Sequence, residues 1–358
     1  MYRCESCGRE YAETVDAPWR CECGQALDFA DPPRPATREP PARVDRDRGL
    51  WTFEGFLPVT RQVTLGEGWT PLVDAPGWDA QFKLEYLFPT GSFKDRGAAT
   101  TLSQAVDLGA KRVIEDSSGN AGHAVAAYAA RAGIEATIYV PADAKPAKRR
   151  AIERTGADVI PVEGDRQAVT DACIEAVDAG EGWYASHAWR PSFFAGTATV
   201  ALETAAQRGW SVPDAFVAPL GHGTLFLGAY RGFRALREAG WTDRLPRMVG
   251  VQAAGTAPIV AARHGERAAA GDNDAADGIQ IRRPARREGI LGAIEATDGE
   301  ALAVDAPVTE ETLGRLRQAG FDTEPTCAVA PAALSRMHER PDAGEDVVVA
   351  LTGSGLKA

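Results

Sequence analysis

The segment FPTGSFKDRGAA places a lysine, Lys94, directly after a Pro-Thr-Gly turn. Ser92 and Asp95 have the spacing of a capping box, which predicts a helix that begins just after Ser92 and runs to Gly109. The positive end of a helix dipole disfavours an ammonium ion in the first turn, and this favours a lysine that works as a neutral amine nucleophile. The alternative is an exposed lysine in an ion pair with Asp95 or Glu85.

A second segment, DSSGNAGHAVAAYAARAG, joins a strand to an Ala-rich helix through two hydroxyls, a glycine and an amide. The first N–H groups of a helix have no partner within the helix, so this turn can bind a carboxylate. The candidate residues are Ser117, Ser118, Gly119 and Asn120. The alternative is a helix cap in which Ser118 or Asn120 serves only its own backbone.

Two later segments also end strands with glycines and hydroxyls. The run GHGTL follows one strand and precedes a helix, and such a turn can cradle a phosphate with backbone N–H groups. The alternative is an ordinary strand-to-helix turn that binds no ligand. The final strand closes with TGSG, which supplies two neutral hydroxyls. The candidates in these two segments are Gly221, His222, Gly223, Thr224 and Leu225, and then Thr352 and Ser354.

Four of the six cysteines lie near the start of the chain as two close pairs, each followed by a glycine. Two such knuckles can place four thiolates around one tetrahedral Zn²⁺, and a unit this small needs the metal to stay folded. We therefore predict a structural zinc ribbon over residues 1–30. Its ligands are Cys4, Cys7, Cys21 and Cys23. The alternatives are unpaired or reactive cysteines, and a ribbon that binds nucleic acid. Cys173 and Cys327 are expected to be ordinary buried thiols.

These candidate residues need elements that bring them to one edge of a sheet. From residue 81 onward, short β-branched runs alternate with Ala-rich amphipathic segments, which predicts an α/β fold with parallel sheets covered by helices on both faces. In such folds, ligands bind at the carboxyl ends of the strands. The predicted strands are residues 82–86, 112–116, 135–140, 158–162, 215–220, 247–252 and 346–351. The predicted helix ends are Gly109, Gly133, Gly156 and Gly240.

Composition limits the partners and the organisation of the chain. The net charge of −11 argues against nucleic acid as the main partner. No long apolar run predicts a membrane span or a secretory signal, which favours a soluble, cytoplasmic protein. A Pro- and Arg-rich stretch at residues 31–49 is predicted to be a linker between the ribbon and a body at residues 50–358. Residues 262–280 are expected to form an exposed loop.

The four motifs PTGSFKDRG, SSGN, EPT and TGSGLK stand in an order that resembles the fold-type II pyridoxal phosphate enzymes, most closely the threonine synthases and their paralogues. The resemblance covers residues 64–358. It implies pyridoxal 5'-phosphate as the cofactor, two doubly wound lobes with a smaller mobile lobe over about residues 96–200, and a homodimer. A zinc knuckle at the start of the chain also occurs in some relatives.

The resemblance also implies a role for each candidate residue. Lys94 binds the cofactor covalently and moves protons at the substrate carbons. The cradle residues Gly221, His222, Gly223, Thr224 and Leu225 hold the cofactor phosphate. Asn120 contacts the ring hydroxyl, and Ser117, Ser118 and Gly119 bind the substrate carboxylate. Thr352, with Ser354 as a second candidate, faces the pyridine nitrogen, where a neutral hydroxyl favours elimination and replacement. Glu324 belongs to a motif near the ring.

The implied reaction converts O-phosphohomoserine and water into threonine and phosphate. In the segment ASHAWRPSFFAGTATVALE, however, aromatic and small residues stand where the resemblance leads one to expect polar ones. Arg190 is the one full charge there before Glu203. Alternatives are therefore a serine or threonine dehydratase, a β-replacement enzyme similar to cysteine synthase, or, from another class, a non-catalytic binding protein. His123 and His187 are assigned either to the cleft or to the core.

Overall fold

The structure, a computed structural model, describes residues 1–338 and 346–357, with the side chains of residues 338 and 357 left out. The chain divides into two compact units. Unit 1 consists of Met1–Arg34, Asp45–Gly68 and Lys94–Thr197. Unit 2 consists of Pro35–Val44, Trp69–Phe93 and Ala198–Ala358. Across the described ranges, the helices are too short or too polar to cross a bilayer.

The strands follow the predicted alternation with helices. In chain order they are β1 (Tyr2–Arg3), β2 (Glu10–Tyr11), β3 (Asp28–Phe29), β4 (Leu72–Ala75), β5 (Ala80–Lys83), β6 (Arg112–Glu115), β7 (Glu135–Pro141), β8 (Asp158–Val162), β9 (Trp183–Tyr184), β10 (Ala215–Pro219), β11 (Arg247–Ala253), β12 (Glu300–Val304) and β13 (Val347–Ala350).

The helices connect these strands. In chain order they are α1 (Lys94–Asp107), α2 (Asn120–Ala132), α3 (Pro146–Glu153), α4 (Arg166–Asp178), α5 (Pro191–Gln207), α6 (Thr224–Ala239), α7 (Pro258–His264), α8 (Glu266–Ala269), α9 (Arg287–Ala296), α10 (Ala306–Gln318), α11 (Pro325–Ala332) and α12 (Leu334–His338). Segments of 3-10 helix lie at Arg46–Phe56, Pro76–Trp78, Asp277–Ile279 and Gly355–Lys357, and the first of these is kinked.

Unit 1 contains two sheets. The small one is antiparallel, has the order β2-β1-β3, and forms the ribbon around a minor core of Tyr2 and Leu27. The larger one is parallel in the order β8-β7-β6-β9. Its core packs residues of α1 and α2 against the strands, including Leu102, Val125 and Ile138. The parallel strands and covering helices confirm the predicted α/β class.

Unit 2 is built on one sheet in the order β12-β11-β10-β13-β5-β4. The strands pair in parallel except for the edge strand β4, which runs antiparallel to β5. Val217, Val249 and Val349 from the middle strands lie in the core of this unit. The middle strands are buried along their whole length, as expected for a parallel sheet with both faces covered.

The predicted strands are all present, although the one at residues 82–86 lies earlier, at Ala80–Lys83. The predicted helix ends hold too, since Gly109, Gly133, Gly156 and Gly240 have positive φ. The exposed loop predicted at residues 262–280 is wrong in part. Residues Glu266–Ala269 form a helical turn, and the buried Asn273 amide donates to Val304 O at 2.7 Å and to Thr309 Oγ1 at 2.8 Å. The buried Asn273 side chain thus anchors residues of this polar segment to β12 and α10.

Candidate active site

In unit 1, Lys94 is the first residue of α1 and is half-buried, as the sequence predicts for a lysine in the opening turn. The predicted capping box is wrong. The Ser92 hydroxyl is buried and has no hydrogen-bond partner within the described residues, and Ser92 instead forms a backbone bridge with Gly353. The Asp95 carboxylate accepts a hydrogen bond from the Tyr128 hydroxyl at 3.5 Å. Tertiary partners have therefore replaced the local pairing.

The start of α1 is fixed by very close packing in unit 1. A methyl group on Gly97 would overlap the Phe193 ring, and one on Gly196 would overlap Arg96 O. Thr100 Oγ1 also donates to Ser192 O at 2.8 Å. Phe193 and Gly196 belong to the segment of aromatic and small residues noted in the sequence. They pack tightly against α1, the helix that carries Lys94.

The Ser-Ser-Gly-Asn turn leads from β6 into α2. Gly119 is the N-cap, in an extended conformation, and no side chain caps the helix there. Ser117 Oγ accepts a hydrogen bond from Gly119 N at 3.3 Å, and a methyl group on Gly122 would overlap Ser117 O. The N-cap itself contributes no side-chain hydrogen bond, since it is a glycine. The Ser117 hydroxyl therefore helps to hold the turn, which leads into the N-terminus of α2.

Sequence reasoning missed a buried acid beside this turn. Glu115, the last residue of β6, is fully buried, and its Oε1 lies 2.5 Å from Nδ1 of His187. Burial raises the pKa of Glu115 well above its usual value, the nearby Asp116 adds to the increase, and the charge of Lys94 opposes it. A glutamate at the end of a strand, two residues before the Ser-Ser-Gly-Asn turn, was the available signal.

In unit 2, the GHGTL segment forms a narrow turn between β10 and α6. The preceding Leu220 N donates to Val251 O at 2.7 Å. Gly223 has φ of 79° and is the N-cap of α6. A methyl group on Gly223 would lie 2.6 Å from the Ile290 side chain. The backbone therefore needs glycine here, and the turn ends at a helix N-terminus, where backbone N–H groups favour an anion.

The Thr-Gly-Ser-Gly tail of unit 2 is held by a cysteine. Cys327 Sγ accepts from Thr352 N at 3.1 Å and from Gly353 N at 3.0 Å, and lies 3.3 Å from Thr352 Oγ1. Burial raises the pKa of Cys327 to about 12, so the thiol stays neutral. Ser354 Oγ accepts from Leu356 N at 3.2 Å. The thiol is buried, as predicted, and it also orders the hydroxyl-bearing turn.

These groups fit pyridoxal 5'-phosphate by the chemistry of their donors. The glycine turn before α6 offers backbone N–H groups to a phosphate, and Thr352 and Ser354 are buried neutral hydroxyls. Lys94 supplies a half-buried amine in unit 1. The side chain of Glu324 lies where a Cβ on Gly353 would fall, so the acid of the EPT motif contacts the tail.

The four cysteines of the ribbon come together as predicted. Their sulfur atoms all lie within 4.8 Å of one another, with 3.5 Å between Cys4 and Cys23 and between Cys7 and Cys21. Four sulfurs at about 2.3 Å from a tetrahedral zinc lie about 3.8 Å apart, so the donor set fits this metal. The Tyr11 hydroxyl, 3.3 Å from Cys21 Sγ, also accepts from Glu22 N at 3.1 Å.

Comparison with known proteins places the chain in a family. The family described as "Pyridoxal-phosphate dependent enzyme" matches residues 63–353. Threonine synthase from Methanocaldococcus jannaschii is 31% identical, with 100% of this chain and 93% of that protein covered. Threonine synthase from Synechocystis sp. is 36% identical, with 89% of this chain and 85% of that protein covered.

Solved structures agree with the fold. A pyridoxal 5'-phosphate-dependent aspartate racemase has a TM-score of 0.69 and 25% identity, with 80% of this chain and 90% of that one covered. A threonine deaminase from T.th. has a TM-score of 0.65 and 26% identity, with 80% of this chain and 92% of that one covered. The chain therefore belongs to the pyridoxal-phosphate dependent enzymes of fold type II, in the group of threonine synthases and their relatives.

Proposed function

We propose that this protein is a threonine synthase, which converts O-phosphohomoserine and water into threonine and phosphate. The observation that carries the proposal is the match to threonine synthases at 31% and 36% identity over 100% and 89% of the chain. A dehydratase or a β-replacement enzyme is not favoured by these relatives. The intact lysine, turn and glycine cradle argue against a non-catalytic binding protein.

Pyridoxal 5'-phosphate, when bound, supplies an electron sink for charge that develops on the substrate carbons. Lys94 would attach the cofactor and, once released by the substrate amine, hold and move protons at the substrate carbons. The start of α1 keeps this amine in place because the packing of Gly97 against Phe193 leaves the helix no room to shift. Position and orientation of such a base contribute much of its catalytic effect.

The substrate carboxylate is assigned to the N-terminus of α2. Ser117, Ser118 and Gly119 stand at this helix start, where the N-cap Gly119 has no side chain to compete for the backbone N–H groups. Such a helix end stabilises an anion by hydrogen bonds and by its dipole. Asn120, the first residue of α2, would contact the ring hydroxyl of the cofactor.

The cofactor phosphate is assigned to the glycine turn of unit 2. Gly221, His222, Gly223, Thr224 and Leu225 would bind it, chiefly through backbone N–H groups at the start of α6. Thr352, and Ser354 as the second candidate, would face the pyridine nitrogen. The neutral thiol of Cys327 supports this assignment, because it orders the turn without adding a charge next to the hydroxyls.

The further parts of the proposal concern the whole protein. The ribbon would bind one structural zinc through Cys4, Cys7, Cys21 and Cys23, supported by the mutual spacing of the four sulfurs. A homodimer is inferred from the family resemblance. A cytoplasmic protein that binds neither nucleic acid nor membranes is inferred from the net charge of −11 and from the lack of a long apolar run in the sequence. The domain boundaries at residues 30 and 49, and a mobile lobe at about residues 96–200, stay predictions.

A substrate panel tests the proposed activity. We expect the purified protein loaded with cofactor to release phosphate from O-phosphohomoserine and to form threonine, identified by chromatography. Serine, threonine and O-acetylserine serve as comparison substrates, with ammonia, 2-oxoacid and acetate as the products to detect. If these three substrates react rapidly and O-phosphohomoserine releases no phosphate, the protein is a dehydratase or a β-replacement enzyme and not a threonine synthase.

A further inference from the structure

Unit 1 contains a cavity of about 450 Å³ that has no residue of the proposed cofactor or substrate site in its lining. One wall comes from the ribbon, at residues 15–19. The other comes from the end of α4, from β9 and from Arg190. Trp19 of the ribbon packs edge-on against Tyr184 at 5.4 Å, so the two walls touch directly beside the cavity.

Arg190 is a buried cation in the lining of this cavity. It is 3% exposed, its Nε donates to Tyr184 O at 2.5 Å, and its guanidinium stacks over the Trp183 ring at 3.9 Å. Within the described residues no carboxylate forms an ion pair with it. Burial lowers the pKa of Arg190 to about 10, which leaves it charged at neutral pH. A buried charge held by neutral groups is costly, and an anion beside it would offset that cost.

Trp183 contributes a hydrogen-bond donor that has no acceptor within the described residues. The side chain lines the same cavity and is 5% exposed, and its Nε1 is buried without a hydrogen-bond acceptor in the described part of the chain. A buried donor without an acceptor destabilises the folded state. In the ranges described, Arg190 has no carboxylate partner and Trp183 Nε1 has no acceptor, so the two residues point to a ligand with an anionic group that carries acceptor oxygens.

The outer part of the cavity has the opposite charge. Three exposed carboxylates line it, on Asp16, Asp178 and Glu181. Two basic residues, Lys111 and Arg112, line the same outer part of the cavity. Arg112 already forms an ion pair with Glu135 at 2.5 Å, so the three negative charges face one remaining positive charge, on Lys111. A ligand that places a carboxylate on Arg190 would thus have its other end among negative groups, which favours a cation there.

We propose that this cavity binds a free α-amino acid with an apolar side chain, its carboxylate on Arg190 and Trp183 Nε1 and its ammonium group near the rim carboxylates. Val15, Pro18, Trp19 and Val177 supply apolar surface for the side chain. The site is separate from the substrate site assigned above. It would act as an effector site, because the ligand would connect the ribbon to the parallel sheet of unit 1.

Isothermal titration calorimetry tests the proposal. The full-length protein is first treated with borohydride, which fixes the bound cofactor and keeps added amines from reacting at it. Leucine is titrated alongside 4-methylpentanoate, which lacks the ammonium group, and 3-methylbutylamine, which lacks the carboxylate. We expect leucine to bind at least about tenfold more tightly than either analogue, the ratio that about 1.4 kcal/mol produces.

Variants locate the binding. Arg190→Met should weaken leucine binding about tenfold or more, since hydrogen bonds to charged groups are among the strong ones. Arg315→Met is the matched control, because Arg315 also stacks on a tryptophan, Trp78 at 4.1 Å, but does not line the cavity.

Two further variants test the same site. If Arg190→Met fails to fold, Trp183→Phe keeps an aromatic ring, removes Nε1–H and should weaken binding several-fold. Glu181→Gln should weaken leucine and leave 4-methylpentanoate unchanged.

Several outcomes would overturn the proposal. Absence of binding heat with leucine, isoleucine, valine and methionine at millimolar concentration would do so. Equal affinity for 4-methylpentanoate or for inorganic phosphate would make the cavity a plain anion site. Unchanged leucine binding in folded Arg190→Met would place the ligand elsewhere. None of these results depends on the reaction that the enzyme catalyses, so the proposal and the proposed function fail separately.

Discussion

At the residue scale, Lys94 is the group on which the proposed chemistry depends. We expect Lys94→Ala to lose the visible absorption band of the bound cofactor and all synthase activity, because no other amine stands at the start of α1. Borohydride reduction of the unsubstituted protein followed by peptide mapping should find the cofactor on Lys94. Lys145→Ala is the matched control, since Lys145 is an exposed lysine next to the start of α3. Cofactor found on another lysine would refute the assignment.

Glu115 gives a residue-scale prediction for pH. Its pKa is raised in the folded protein by burial, so the folded state keeps a proton that the unfolded chain releases above pH ~4.3. This contribution to the free energy of unfolding is fully present below the unfolded pKa and is lost as pH rises toward the folded pKa. Glu115→Gln stays neutral and should remove that loss.

Urea unfolding between about pH 5 and pH 8 measures the effect of Glu115. The free energy of unfolding of Glu115→Gln minus that of the unsubstituted protein should rise with pH, by up to about 1.4 kcal/mol per pH unit. Glu135→Gln, which removes an exposed carboxylate paired with Arg112, should give a flat difference. Parallel pH profiles for Glu115→Gln and the unsubstituted protein would mean that Glu115 is ionised in the folded state.

At the scale of elements, α2 is positioned by contact between backbones. Gly122→Ala should displace the Ser-Ser-Gly-Asn turn, because the new methyl group overlaps Ser117 O and a carbonyl cannot move as a side-chain end can. We expect a loss of about 2 kcal/mol or more in the free energy of unfolding, in the range of other overpacking changes, and a clear increase in KM for the amino-acid substrate.

A matched glycine separates this effect from helix propensity. Gly314 lies in α10, and a methyl group there meets no atom within 4 Å. Gly314→Ala should therefore stabilise the protein by up to about 1 kcal/mol and leave KM unchanged. Denaturant unfolding and steady-state kinetics of both variants are the measurements. A Gly122→Ala protein with unchanged KM would show that the turn does not depend on this contact.

The elements also show which features the sequence could predict. Strands such as β7 and β13 follow from runs of β-branched residues, and helix ends follow from glycines with positive φ. The capping box failed because Ser92 pairs with the distant Gly353, a contact that no local pattern encodes. The Glu115–His187 pair joins residues far apart in sequence, so its partners could be named only after the sheet placed β6.

At the scale of the whole molecule, stability is unevenly distributed. The ribbon has a small core of Tyr2, Cys4, Cys21 and Leu27, whereas the parallel sheets have much larger cores. So small a core rarely stabilises a fold without a metal or disulfide, and all six cysteines are free. The ribbon is therefore the part of the chain whose folding should depend on zinc.

Removal of zinc tests this dependence. We expect about one zinc per chain by atomic absorption, and its loss in Cys4→Ser but not in Cys173→Ser, because Cys173 is buried outside the cluster. Chelation should expose the first residues to protease while the cofactor absorption persists, since Lys94 and the glycine turn lie outside the ribbon. A protein that contains no zinc, or an apo-ribbon as resistant to protease as the zinc-bound one, would contradict a structural metal site.

Loss of the cofactor together with zinc would instead mean that the fold of unit 1 depends on the ribbon through contacts such as Trp19 against Tyr184.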